Sequence, residues 1–186
     1  DMMISGTGAM YENRVSAGMS VPPVTGESSL MYFIDRLEKA HAAPFDEHIL
    51  LVHECCMTEE GTEAVKKVMN HPYVALCPCS NIFIHNALPP VDMIRRSGIK
   101  ITVGTDSLSS NDDLDMVREL FCLQENFPQV PLGEMIFWAT ANGADFLGKG
   151  DVYGKMLPGM KPGLVFIDHL SENGYLTTAS VSQRII

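Results

Sequence analysis

From residue 49 onward, hydrophobic positions along this chain alternate between two textures. Short, nearly unbroken apolar runs occupy 49–53 (ILLVH), 74–78 (VALCP) and 101–106 (ITVGTD), and the stretches between them repeat apolar residues at helical spacing. Unbroken runs of this kind read as strands covered on both faces, and spacing of three and four reads as amphipathic helix. The predicted helices are 58–70, with Thr58 suited to capping and Ala64, Val65, Val68 and Met69 as the apolar stripe, then 91–97 stopped by Gly98, then 112–126. The runs begin 25 and then 27 residues apart. That rhythm predicts parallel β/α units.

The flanks read differently. Residues 131–147 predict one long helix, with Pro131 in a first-turn position and Gly148 as the stop. Residues 148–163 are rich in Gly and Pro, and Pro158-Gly159 and Pro162-Gly163 mark turns before a last strand at 164–167. The tail from Ser171 is polar and then β-leaning. Near the start, Gly6, Gly8, Gly18, Pro22, Pro23 and Gly26 predict a loop broken by a short helix near 9–16, and 28–42 reads as helix. A loop and helix ahead of a strand suit a β/α connection whose own strand lies upstream. No internal repeat stands out beyond the β/α rhythm.

Composition narrows the class. The 186 residues are 46% hydrophobic and 19% charged, the balance of one globular domain. A net charge of −10 argues against nucleic acid and against an anionic membrane surface as partners. No apolar run approaches the ~20 residues of a membrane span. The five cysteines, Cys55, Cys56, Cys77, Cys79 and Cys122, are odd in number and include a vicinal pair, which points to a reducing, cytoplasmic home.

Parallel β/α folds gather ligands at the C-terminal ends of their strands. His53, the stretch from Pro78 to Asn81, and Thr105-Asp106-Ser107 stand at those ends. Alone, a strand-end His is more often structural, and a strand-end Asp often caps the next helix. His41, His48 and His71 read as solvated residues near helix or loop ends. Cys55-Cys56 with Cys77 and Cys79 suggest a four-thiolate zinc site, but structural zinc pairs usually have two to four residues between the cysteines. The twelve methionines read as core filler. Asp112, Asp113 and Asp115 read as acids opening a helix. Ser107, Ser110 and Asn111 either orient Asp106, meet a substrate or hold the turn.

Taken in order, LVH ending at His53, CPCSN at 77–81, ALPP at 87–90, GTDSLSSN at 104–111, WATANGA at 138–144 and GMKPGLV at 159–165 resemble the amidohydrolase superfamily. The resemblance is to its branch of nucleoside, guanine and related heterocycle deaminases and triazine chlorohydrolases, and it covers about residues 49–168. It implies an α/β fold, the C-terminal portion of a (β/α)8 TIM-like barrel. The three runs are then strands six, seven and eight, with 1–150 in the barrel and 151–186 returning toward a small β-domain. By motif match, Asp106 is a metal ligand and proton acceptor, and His53 is the catalytic histidine. Asn81, His85 and Ser107 fall on the substrate side.

The resemblance also implies a small-molecule substrate, water activated by a divalent metal, and C–N hydrolysis rather than dechlorination. Zinc is the family-weighted metal, although iron, manganese and nickel suit the same donors. The family's HxH pair and its strand-five histidine have no match in this sequence. One carboxylate does not hold a catalytic zinc, which takes about three protein ligands, and a barrel of this kind needs ~250 residues. The expectation is a C-terminal fragment of a longer hydrolase, inactive by itself. The rival expectation is a non-enzymatic half-barrel, a binding or assembly module forming a homo-oligomer or segment-swapped assembly to cover its open edge.

Overall fold

All three apolar runs lie in one sheet of the computed structural model, which describes residues 2–186. Its strands are β1 (Phe45–Val52), β2 (Met69–Leu76) and β3 (Lys100–Val103), hydrogen-bonded in that order. β2 and β3 are parallel, with Tyr73 opposite Lys100 and Leu76 opposite Val103. The fold is thus mixed α/β with a parallel strand pair. By contacts the chain divides into two compact units, one comprising the chain up to Glu47 with Thr58–His71, the other His48–Met57 with Pro72–Ile186.

Helices α1 (Met2–Ser5), α2 (Ala9–Ser16), α3 (Ser29–Lys39) and α4 (Glu59–Val68) belong to the first unit. Ser28 caps α3 by accepting from the Met31 N–H, and Thr58 caps α4 by accepting from the Gly61 N–H at 3.1 Å. α3 packs on α4, where Ile34, Val65 and Val68 are buried. The helix expected over 58–70 stops at Val68, and Met69 already belongs to β2. Pro72 explains the correction, because it lacks an N–H and disfavours helical backbone at His71.

The second unit holds the C-terminal halves of β1 and β2 together with β3. It continues through α5 (Pro78–His85), α6 (Val91–Ser97) and α7 (Met116–Asn126). Pro78 does not end a strand; it opens α5 at the position where its missing N–H is harmless. His85 is the last residue of that helix. The helix expected from 112 begins only at Met116, capped by Asp115, whose carboxylate accepts from the Val117 N–H at 2.8 Å. Asn111 and Asp113 accept from the backbone N–H groups of Asp112 and Asp115, local bonds that compete with helix.

The expected helix over 131–147 is continuous but not uniform. It comprises α8 (Leu132–Phe137), a π-helical turn (Trp138–Asn142) and α9 (Gly143–Phe146), between Pro131 and the left-handed Gly148. The wide turn lies against β3, and Asn142 Nδ2 donates to the Ile101 carbonyl at 2.8 Å. Gly154 (φ +84°) approaches that turn so closely that a Cβ would sit 2.8 Å from the Ala141 Cα and the Thr140 carbonyl oxygen. The unplaced tail forms β5 (Val181–Arg184), antiparallel to β4 (Val165–Asp168).

At the leading end of the β2–β3 ladder, Tyr73 Oη donates to Asp145 Oδ2 at 2.8 Å. Lys100 Nζ donates to the same carboxylate oxygen and to Tyr73 Oη. Lys100, and then Tyr73, hold the Asp145 carboxyl below the usual carboxylate range. His48 lies in β1 rather than near a loop end; its Nδ1 is 2.8 Å from the Phe146 carbonyl oxygen and its ring packs at a tilt against Tyr73. Among the described residues no helix is long and apolar enough to cross a membrane.

Candidate active site

The chain leaves β1 and β3 through backbone that most residues avoid. His53 (φ 73°) and Glu54 (φ 50°) are consecutive left-handed residues after β1, and Asp106 (φ 58°) is left-handed after β3. Each such residue costs roughly 1–2 kcal/mol unless its side chain bonds locally. The strand ladder nevertheless continues past the formal strand ends. The His53 N–H donates to the Ala75 carbonyl at 3.0 Å and the Gly104 N–H to the Leu76 carbonyl at 2.9 Å. These bonds bring the next side chains to one rim of the sheet.

There the structure brings His53 and Asp106 together, with Nε2 of the imidazole 3.8 Å from Oδ2 of the carboxylate. Both side chains are partly open to solvent, at 40% and 31% exposure. Asn81, buried in the first turns of α5, faces both His53 and Cys55. Its Oδ1 is 3.2 Å from His53 Nδ1, and its Nδ2 donates to Cys55 Sγ. Nδ1 is thus the ring nitrogen that faces Asn81, and Nε2 the one that faces Asp106.

Asp106 is embedded in hydroxyls. Ser80 Oγ and Ser110 Oγ each donate to Oδ2 at 2.8 Å. These bonds, Ser80 first, hold the carboxyl below its usual range, and His53 adds to the effect. Ser107 is exposed and its hydroxyl shares a hydrogen bond with Ser109 at 2.7 Å. His85 is exposed at the end of α5. Asn111 Nδ2 donates to the Thr105 carbonyl at 2.9 Å, holding the turn that ends at Asp106.

Sequence reasoning passed over two residues here. Ser80 sits inside the CPCSN string, but only the contact shows that its hydroxyl, rather than the Asn81 amide, reaches the carboxylate. Glu119 on α7 is 1% exposed and accepts from the Cys79 N–H at 2.9 Å and from Asn111 Nδ2 at 2.6 Å. Burial pushes its carboxyl up, against the pull of those donors. An acid in the first turn of a helix is common, so nothing in the sequence marks this one as buried.

No three His, Cys, Asp or Glu side chains cluster to hold a metal among the described residues. That applies to the cysteines too, since Cys77 is buried and Cys79 Sγ donates to the Arg118 carbonyl. A carboxylate and an imidazole at one rim are donors of the right chemistry for a divalent metal, and they are fewer than a catalytic zinc takes.

Comparison with known proteins agrees with this geometry. Residues 24–184 match the model of the Amidohydrolase family. The 5-methylthioadenosine/S-adenosylhomocysteine deaminase of Desulfitobacterium hafniense is 32% identical over 130 residues, covering 67% of this chain and 30% of that protein. The chain therefore spans about a third of such a relative's length. Among solved structures, Helicobacter pylori aminofutalosine deaminase in complex with methylthio-coformycin has a TM-score of 0.66 at 21% identity, over 87% of this chain and 38% of that one. An adenosine deaminase from Xanthomonas campestris with bound zinc has a TM-score of 0.61 at 24% identity, over 88% of this chain and 36% of that one. At those identities the two structures speak for the fold. With the family model matching most of its length and the strand-end pair in place, the chain belongs to the amidohydrolase family.

Proposed function

We propose that the protein is a metal-dependent deaminase that releases ammonia from an amino-substituted, adenosine-like heterocycle, and that this chain supplies strands six to eight of its barrel as β1, β2 and β3. The 3.8 Å approach of His53 Nε2 to Asp106 Oδ2 carries the reading. One oxygen atom hydrogen-bonded to both fits such a gap at ordinary distances of about 2.8 Å. Asp106 is the residue of this chain that would hold the metal, with the remaining donors supplied by residues outside it. A divalent metal, zinc in the Xanthomonas relative, supplies the Lewis acidity that makes water nucleophilic at neutral pH.

The roles of the chain's own groups follow from their surroundings. The Asp106 carboxylate, kept ionised by Ser80 and Ser110, accepts a proton from the attacking water. The His53 imidazole, fixed by Asn81, bonds the attacking oxygen and stabilises charge as the tetrahedral carbon forms. Ser107, next to Asp106, and His85 are proposed to meet the substrate, and Asn81 to act through His53. Phe83 and Leu108, both exposed and within two residues of Asn81 and Asp106, offer apolar surface to a flat heterocycle.

Ammonia release from adenosine, 5-methylthioadenosine and S-adenosylhomocysteine by the native gene product tests the reading. Turnover that disappears in Asp106→Asn supports it. Turnover that survives that change overturns the role of Asp106, and no ammonia from any of the three overturns the substrate class.

A further inference from the structure

We propose that Glu119 is a positioning residue for the Asp106 carboxylate, closing a ring of hydrogen bonds that fixes the spacing between the loops after β2 and β3. The inference rests on the reading of Asp106 as the reacting carboxylate. Glu119 Oε2 accepts from the Cys79 N–H at 2.9 Å, and Oε1 accepts from Asn111 Nδ2 at 2.6 Å. The residue after Cys79 is Ser80, whose hydroxyl donates to Asp106 Oδ2 at 2.8 Å. Asn111 Nδ2 also donates to the Thr105 carbonyl at 2.9 Å, and the residue after Thr105 is Asp106. The path therefore returns to its start through Glu119, Cys79, Ser80, Asp106, Thr105 and Asn111. Ser110, beside Asn111, adds a second hydroxyl to the same carboxylate oxygen at 2.8 Å.

The choice of a carboxylate at this place is informative. Val117, Leu120 and Leu123 of α7 are buried around Glu119, and an apolar residue would extend that stripe. Burying a carboxylate is costly unless its oxygens are bonded. A carboxylate, with two acceptor oxygens and no donor, takes one N–H from each loop. The ring also accounts for the left-handed backbone at Asp106, because strained residues persist where their surroundings over-determine them.

Glu119→Gln keeps the shape but puts an amide NH2 against one of two N–H donors, which opens the ring at one side. In the native gene product, kcat should fall by about tenfold, as expected for one lost hydrogen bond to a charged group, with KM moving less than about threefold. The decisive measurement is a double-mutant cycle with Ser80→Ala, which opens the ring at the opposite side. A positioning ring predicts that Glu119→Gln lowers kcat less than about twofold once Ser80 is gone, whereas independent effects multiply. A plain helix-to-loop clamp would instead lower the thermal midpoint and leave kcat unchanged.

Unchanged kcat in Glu119→Gln, or multiplying effects in the cycle, overturns the proposal. If Asp106→Asn remains active, the functional reading falls instead. The ring is then judged on this chain by NMR, where Glu119→Gln should speed hydrogen exchange at the Cys79 amide and shift the Ser80 and Asp106 amides but not the Tyr73 amide. Unshifted Ser80 and Asp106 amides overturn it there.

Discussion

The two ends of the β2–β3 ladder carry carboxylates held in opposite ways. At the leading end, Asp145 meets a Lys100 ammonium and a Tyr73 hydroxyl. At the trailing end, Asp106 meets two serine hydroxyls and an imidazole, and it does so from left-handed backbone. The leading end neutralises its charge within the chain and uses ordinary backbone. The trailing end keeps a solvent-accessible anion and stores strain at His53, Glu54 and Asp106. Strain of this kind adds nothing to the sheet, and its placement on both members of the His53–Asp106 pair supports the proposal that this end is the working one.

Substitutions can break this contrast, beginning with the largest effect. Asp106→Asn should lower turnover of the native gene product by a thousandfold or more, on the order of what removing a key electrostatic group costs, with the thermal midpoint almost unmoved; a large loss of midpoint with preserved turnover would reverse the assignment of the two ends. His53→Ala should cost roughly a hundredfold or more in kcat, within the range of acid–base groups, and a loss confined to KM would argue against a role in attack. Ser80→Ala should let the Asp106 carboxyl titrate nearer its ordinary value of 3.8, as read by carbon NMR in this chain. Because its folded value is depressed, the stability tied to Asp106 is present above 3.8 and lost as pH falls through the folded value. Ser80→Ala should flatten that acid limb.

The smallest effects belong to the leading end. Asp145→Ala should cost about 1 kcal/mol, discounted for solvent screening of a half-exposed pair, and leave turnover intact. The Asp145 contribution too is full above 3.8 and fades as pH falls through its lower folded value. Tyr73→Phe should cost about 0.5 kcal/mol in urea melts. Turnover lost in either variant would erase the distinction between the ends.

Much of this was written in the sequence, and the rest was not, for identifiable reasons. The runs at 49–53, 74–78 and 101–106 announce strands because fully covered strands need unbroken apolar residues. Gly98 and Gly148 announce helix ends because both adopt left-handed backbone. His53 and Asp106 were legible as a pair once their strands were placed in one sheet, on either side of β2. Pro78 was misread because proline suits both the end of a strand and the first turn of a helix. The π-helical turn escaped because its apolar spacing matches an ordinary helix. The contacts of Ser80 with Asp106 and of Glu119 with Cys79 join residues 26 and 40 apart in the chain. Local pattern carries no trace of such pairings.

The wide turn at Trp138–Asn142 holds one residue more than an α-helical turn needs. Deleting a single residue there would close the turn to ordinary α-helix. The widened backbone that Gly154 packs against would be lost. Length, beside the Asn142 amide, is what this stretch must keep, so natural variants should exchange the exposed Thr140 freely while rejecting gaps.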